Sequence, residues 1–248
     1  MVEGQVESVR TASKDYDGID YRDFWEDSPE RFNVNLLEQR LIRRLVPGGG
    51  AMAEIGAGFG RLAPCYIDRC EKVYLVEPAP NLRELAGRDY GDRAEAIDGD
   101  VYKLPFEDGQ LDTLLMVRVM HHLTKPDVAL AELARCLKPG GVLVFSYSNK
   151  RNIGRVLKYM LKRQGDPFSL EPGKYDAHAL WGHHPRFMEP LVESAGFEVE
   201  QRVGVGLTGK FAGALPFLKS ALQPPLFLCS LAGSLNISPS QFLVCRKR

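Results

Sequence analysis

Apolar residues recur along this chain in two rhythms. In the first part, Leu36, Leu37, Leu41, Ile42 and Leu45 follow Phe24 and Trp25 at roughly helical spacing. That spacing predicts an amphipathic helix over about residues 29–45. The run Pro47-Gly48-Gly49-Gly50 ends it. Beyond residue 50 the rhythm changes to short continuous apolar runs at 51–55, 73–76, 94–97, 113–117 and 142–147. Helical stretches are predicted between them at 61–69, from Asn81 to about Arg88, and at 128–136. Strands that are apolar throughout and alternate with helices imply a parallel sheet covered on both faces.

After residue 148 the alternation loosens. Residues 149–164 read as a basic helix, 166–182 are rich in turn formers, 185–195 read as a helix and 197–203 as a sixth strand. The stretch 204–239 is apolar but broken by Pro216, Pro224 and Pro225, and Phe242-Leu243-Val244-Cys245 forms a seventh strand. Length permits one large α/β domain or two small ones. The chain is read as a single domain over 1–248: residues 1–46 an N-terminal helix and lid, 50–148 a cofactor-binding core, 149–184 and 204–239 substrate-side insertions.

Composition narrows the picture further. Lys+Arg and Asp+Glu both number 32, so the formal net charge is +0, and no overall basic field exists to hold nucleic acid. Five scattered cysteines without a CxxC pair speak against a disulfide framework or a zinc ribbon. With an N-terminus lacking the apolar core of a signal peptide, they lead to the expectation of a cytoplasmic protein. No apolar run is long enough to span a bilayer.

The densest chemical signal is Glu54-Ile55-Gly56-Ala57-Gly58-Phe59-Gly60, directly after the first strand. A glycine-rich turn there opens backbone N–H groups and lets a ligand approach closely. The spacing is not that of a dinucleotide fold, whose third glycine is replaced by Arg61, and no phosphate loop is present. Glu77 ends the second strand, 21 residues after Gly56, where a carboxylate can accept from both hydroxyls of a ribose. Asp100 follows the third strand, placed to accept from an adenine amino group. Each acid alone is equally readable as a solvated loop residue. Together they mark three successive strand ends, the edge at which open α/β sheets bind ligands.

At these residues the chain resembles the class I S-adenosylmethionine-dependent methyltransferases. AEIGAGFGRL looks like the first motif of that family and YLVEP like the second. GDVYKLPFEDGQLDTLLMVRVMHHL looks like the third and fourth, and LKPGGVLVFSYSN like the turn and strand that follow. The likeness is close over about 50–148 and looser over 183–203. It implies a Rossmann-like, doubly wound seven-stranded sheet, mostly parallel with its last strand antiparallel, and S-adenosyl-L-methionine as cofactor. It also implies cofactor contacts from Glu54, Gly56, Ala57, Gly58, Gly60, Glu77, Pro78, Asp100, Val101 and Arg118. The LPFxDxxxD run is similar to that of the quinone-biosynthesis C-methyltransferases, a small-molecule branch. Val117-Arg118-Val119-Met120 stands where amino methylases carry [DN]PP[YF], which speaks against a nucleic-acid base as acceptor.

The expected activity is therefore methyl transfer to a small, lipophilic molecule, with a non-catalytic cofactor-binding sensor or partner subunit as the alternative. His122 is the candidate general base, against a structural reading in which it holds its loop. Tyr147, His183 and His184 are candidate substrate contacts, with core packing or helix capping as their alternatives. Tyr21 and Trp25 are expected to stack over the site or to anchor the first helix. Adjacent histidines diverge, so no metal site is expected. The basic helix near 150–163 is open to three readings: a solvated face, an acidic substrate or a membrane surface. Whether the chain is a monomer or a homodimer stays open at this level.

Overall fold

The computed structural model describes residue 25 and residues 29–162, 165–174, 181–206 and 226–248. All seven expected strands form one sheet. In chain order they are β1 (Ala51–Ile55), β2 (Lys72–Val76), β3 (Glu95–Ile97), β4 (Leu111–Met116), β5 (Leu137–Ser148), β8 (Phe197–Val205) and β9 (Ser240–Lys247). Two short strands, β6 (Gly173–Lys174) and β7 (Trp181–Gly182), pair only with each other. The sheet order is β3-β2-β1-β4-β5-β9-β8. Strands β1 to β5 run parallel, and β9 inserts antiparallel between β5 and β8. The seven-stranded, doubly wound sheet with an antiparallel last strand is thus present. Its order reverses between β1 and β4, so the strand ends on either side of that point frame a crevice.

Six α-helices complete the described residues: α1 (Pro29–Leu45), α2 (Pro80–Tyr90), α3 (Pro126–Cys136), α4 (Ile153–Met160), α5 (Pro185–Ser194) and α6 (Leu226–Ser234). Side chains alternate across the pleat and sort into two buried clusters. On β5, Val142 and Val144 join Leu41, Ile42, Leu75 and Phe242 on the face of α1. Leu143, Phe145 and Tyr147 join Leu130, Leu133, Met188 and Phe197 on the face of α3 and α5.

Two expected helices differ from the sequence reading. Residues 61–69 form two short 3-10 turns, Ala63–Cys65 and Ile67–Arg69, instead of one α-helix. Their bonds run from residue i to i−3, as in Cys65 N–H to Leu62 O and Tyr66 N–H to Ala63 O. Pro64 has no N–H to offer Gly60, and its ring crowds that carbonyl. The basic helix also shrinks, to Ile153–Met160. Asn152 caps it, its side chain accepting from the Arg155 N–H at 3.1 Å, and Lys162 turns out of the helix with φ 54°.

The far end of the sheet depends on close backbone approach. A Cβ on Gly233 of α6 would lie 2.6 Å from the Arg202 carbonyl and from Val203 Cα of β8. Neither is a side-chain tip that can swing aside. Gly233→Ala should therefore lower stability by about 1–3 kcal/mol through overpacking. A thermal melt checks this; an unchanged midpoint would show that α6 is free to shift on β8.

Candidate cofactor cleft and adjoining chamber

The loops after β1, β2, β3 and β4 meet at one edge of the sheet. They line an open cleft of about 990 Å³, with Glu54 to Phe59, Arg61, Leu62, Glu77, Pro78, Leu82, Gly99, Val101, Val117 to Val119, His122, Leu123 and Trp25 on its walls, while Gly60 is not among them. Of the cofactor residues implied by the sequence, Glu54, Gly56, Ala57, Gly58, Glu77, Pro78, Val101 and Arg118 line this cleft.

The three glycines of the turn do different jobs. A Cβ on Gly56 would strike Val119 Cγ2 at 2.3 Å, and one on Gly60 would strike the Tyr90 ring at 2.6 Å. Both are packing glycines. Gly58 has φ 58°, yet a Cβ there would meet nothing within 4 Å. Its open side faces the cleft.

Glu77 pins this turn. One carboxylate oxygen accepts from the Gly58 N–H at 2.7 Å and the other from the Ala79 N–H at 2.9 Å. Burial pushes its pKa up, opposed by those two N–H groups and by Arg83. Glu54 is fully enclosed. Burial raises its pKa to about 7, against the hydrogen bond that the Tyr66 hydroxyl donates to it and the charge of Arg61. Asp100 is not on the cleft wall. Its Oδ1 accepts from the Tyr102 N–H at 2.9 Å and shapes the loop, while its neighbours Gly99 and Val101 face the cleft.

The roof is held by an acid the sequence reading did not single out. Glu38 of α1 is completely buried and receives Arg61 at 2.8 Å and Arg118 at 2.7 Å. Burial alone would raise its pKa, but Arg118 and Arg61 outweigh that and hold it below the usual carboxylate range. Trp25 lies against both guanidiniums, with Arg61 at 3.9 Å and Arg118 at 4.8 Å from the ring centre. Arg118 keeps a left-handed backbone, φ 62°, with its N–H on Ser146 Oγ at 3.0 Å. A non-glycine residue held so is strained, a condition common at ligand sites. One signal for Glu38 was present in the sequence. Val34, Glu38, Leu41 and Leu45 share one helical face, so an acid interrupts a core stripe.

A second chamber of about 1070 Å³ adjoins the first, and Arg118 lines both. Its walls include Val34, His121, Ser146, Ser148, Asn152, Arg155, Lys158 and Ser240. His122 faces the cleft and His121 the second chamber, with their rings 4.2 Å apart. Burial, reinforced by the charges of His122, Arg118 and His183, holds His121 well below the usual imidazole range, so it is neutral at pH 7.

Three expected substrate contacts are otherwise employed. Tyr147 borders the second chamber along β5, but its ring belongs to the buried cluster on the opposite face, 6.3 Å from Phe145. The parity of the strand decides that. His184 caps α5, its Nδ1 accepting from the Arg186 N–H at 3.1 Å. His183 is buried and stacked on Phe187 at 5.8 Å, with its backbone bonded to Ser148 and Lys150. Neither histidine lines either chamber. Tyr21 lies outside the described residues. Among the described residues no cluster of His, Cys, Asp or Glu is arranged to hold a metal ion.

Residues 53–145 match the family model described as "Methyltransferase domain". An uncharacterized methyltransferase of Geobacillus kaustophilus is 35% identical over 100 residues, which are 40% of this chain and 46% of that protein. The match thus spans less than half the length of that relative. Among solved structures, a methyltransferase of Thermotoga maritima described as a possible histamine N-methyltransferase superposes with a TM-score of 0.62. It is 22% identical and covers 92% of this chain and 94% of that one. The (4+2)-cyclase SpnF superposes with a TM-score of 0.60 at 20% identity, covering 85% of this chain and 79% of its own. At those identities the likeness is one of fold. The cofactor implied by the matched family is S-adenosylmethionine, and the cleft fits it. Gly58 leaves its path open, Glu77 and Glu54 offer buried carboxylates to hydroxyls and to an ammonium, and Ile55, Leu82, Val101 and Leu123 supply apolar walls.

Two predictions come from this geometry. Gly58→Ala should fold, at a cost of about 1–2 kcal/mol for its left-handed backbone, yet bind S-adenosylmethionine far more weakly. Gly60→Ala should instead unsettle the fold itself. Calorimetric titration beside a thermal melt separates the two; normal affinity in Gly58→Ala would remove that residue from the cofactor path. The second concerns Glu54, whose folded pKa of about 7 stands above the ordinary carboxyl value of 4.5. The folded state holds its proton more tightly, so this contribution is complete below pH 4.5 and is lost as pH rises through 7. The loss is about 3 kcal/mol. Glu54→Gln should flatten that part of the stability–pH curve, as denaturant titrations at several pH values would show. Parallel curves for the two proteins would contradict the assignment.

Proposed function

We propose that this chain, a class I S-adenosylmethionine-dependent methyltransferase by its sheet and its residues 53–145, methylates a small molecule seated in the second chamber. The observation that carries the reading is that the two chambers join at Arg118, which lines both, with His122 on the wall of one and His121 on the wall of the other, their rings 4.2 Å apart.

When bound, the cofactor supplies a methyl group already activated on a sulfonium. The chain's own work is then to orient the acceptor and keep water out. Glu77 would hold the ribose hydroxyls, and Gly99 and Val101 would frame the adenine. Glu54 and Arg118 would take the amino-acid end, with Arg118 kept rigid by Glu38. Trp25, nearly inaccessible at 4% exposure, closes the roof against water. His122, on the cleft wall beside the join, is the proposed base for an acceptor whose proton must leave. His121 is neutral and faces the acceptor chamber, so it can accept a hydrogen bond from a hydroxyl or amine without repelling a cationic sulfonium. The neutral net charge favours a small acceptor over a nucleic acid.

Tritium-labelled methyl from S-adenosylmethionine, incubated with the protein and a cell extract, should enter the low-mass fraction. Label found only in protein or RNA would overturn the small-molecule reading, and no transfer to any fraction would overturn catalysis. With an acceptor in hand, His122→Ala should lower turnover per folded molecule by about 10²–10⁴-fold while cofactor affinity holds. Near-normal turnover would leave orientation alone to carry the reaction.

A further inference from the structure

Helix α4 is amphipathic, but it wears its apolar stripe outward. Ile153, Leu157, Met160 and Leu161 lie at i, i+4, i+7 and i+8, which is one face of a helix. All four are exposed, Met160 at 71% and Leu161 at 64%, and no residue of α4 is buried. Phe168, also exposed, extends the stripe sideways through its edge contact with Tyr159, ring centres 5.9 Å apart. The opposite side of α4 is used: Arg155 and Lys158 line the second chamber. The helix therefore presents its polar side to the protein and its apolar side away from it, the reverse of an ordinary surface helix.

Charge identifies what suits that face. Between Asn149 and Gln164 the chain places Lys150, Arg151, Arg155, Lys158, Lys162 and Arg163, with no acid, in a protein whose formal net charge is +0. Arg151, Lys158 and Lys162 are exposed. Lys158 follows Leu157 within α4 and Lys162 follows Leu161 just past the helix end, where the chain turns out with φ 54°; long lysine stems can run beside apolar side chains while their ammonium groups reach past them. A short apolar face bordered by lysines matches a bilayer surface that carries negative charge: the apolar side chains enter the acyl boundary and the cations meet the headgroups. No helix among the described residues is long and apolar enough to cross a membrane, so the contact would be one of lying on the surface.

We propose that α4 docks this protein on a membrane surface containing anionic phospholipid. Docking there places one wall of the acceptor chamber at the lipid boundary, since α4 is both that wall and the contact face. This surface reading is independent of methyl transfer and can fail without it.

The test is flotation of the full chain with vesicles. The wild-type protein should float with vesicles containing phosphatidylserine and stay behind with pure phosphatidylcholine, and added salt should weaken the association. Leu157→Glu combined with Met160→Glu should reduce flotation at least about tenfold, because each change puts a charge on the inserting face. Both positions are exposed and outside the two chambers, so S-adenosylmethionine titration of the variant should match the wild type and certify its fold. Absence of flotation would overturn the proposal, as would equal flotation of wild type and variant. So would a wild-type dimer in sedimentation that the double variant abolishes without any vesicle binding, since a second copy would then cover the face.

Discussion

The site hangs on one buried carboxylate. Glu38 sits in α1, with no exposure, and carries Arg61 from the loop after β1 and Arg118 from the loop after β4. Taken out of water alone, it would be costly; held by two guanidiniums, its charge is kept. Leaving those partners around an uncharged residue would cost several kcal/mol, about 3–5 by the usual measure for a broken buried pair. Arg61 and Arg118 in turn support Trp25. One ion-pair cluster thus fastens the first helix, the roof and two walls of the cleft to the sheet. Two guanidiniums against one carboxylate leave the cluster cationic, which suits the carboxylate end of an amino-acid-bearing cofactor.

The sheet supplies the rest by topology. Because its order reverses between β1 and β4, the helices that follow those strands leave in opposite directions and cannot close the gap between them. The gap becomes the cleft, and the glycine turn borders it. β4 then does double duty. Past Met116 the chain turns through the left-handed Arg118 and then a 3-10 turn at Met120–His122, which sends two consecutive histidines to two different chambers. The antiparallel insertion of β9 brings Pro239 and Ser240 to the second chamber, beside Val205 at the end of β8. The likeness to both a methyltransferase and a cyclase shows how freely such a frame accepts different chemistry.

How much of this was written in the order of residues follows from the range of the forces involved. Apolar runs and turn formers act locally, so the seven strands and the ends of most helices were legible from sequence. Gly56, Gly58 and Glu77 on the cleft wall were legible too, because a ligand edge at successive strand ends recurs at predictable spacing, and Val101 came from the family resemblance. Where a local rule met a local exception, the reading slipped. Pro64 breaks the helix expected over 61–69 into 3-10 turns, and Asn152 with Lys162 trims the basic helix to eight residues.

The rest needed three dimensions. Glu38 and Arg118 are 80 residues apart, and only the packing of α1 on the strand edge makes them partners. Tyr147 was open to a substrate or a core role, and strand parity, fixed by the pairing of β5 with β4 and β9, turns its ring into the core on the far face. The division of labour between His121 and His122 is set by a turn of backbone that neither residue type encodes. Sequence determined the elements and the cofactor edge, since periodicity and turn chemistry are properties of neighbours along the chain. Tertiary structure decided which charges are buried together and which face each side chain meets, since those depend on groups brought near from far along it.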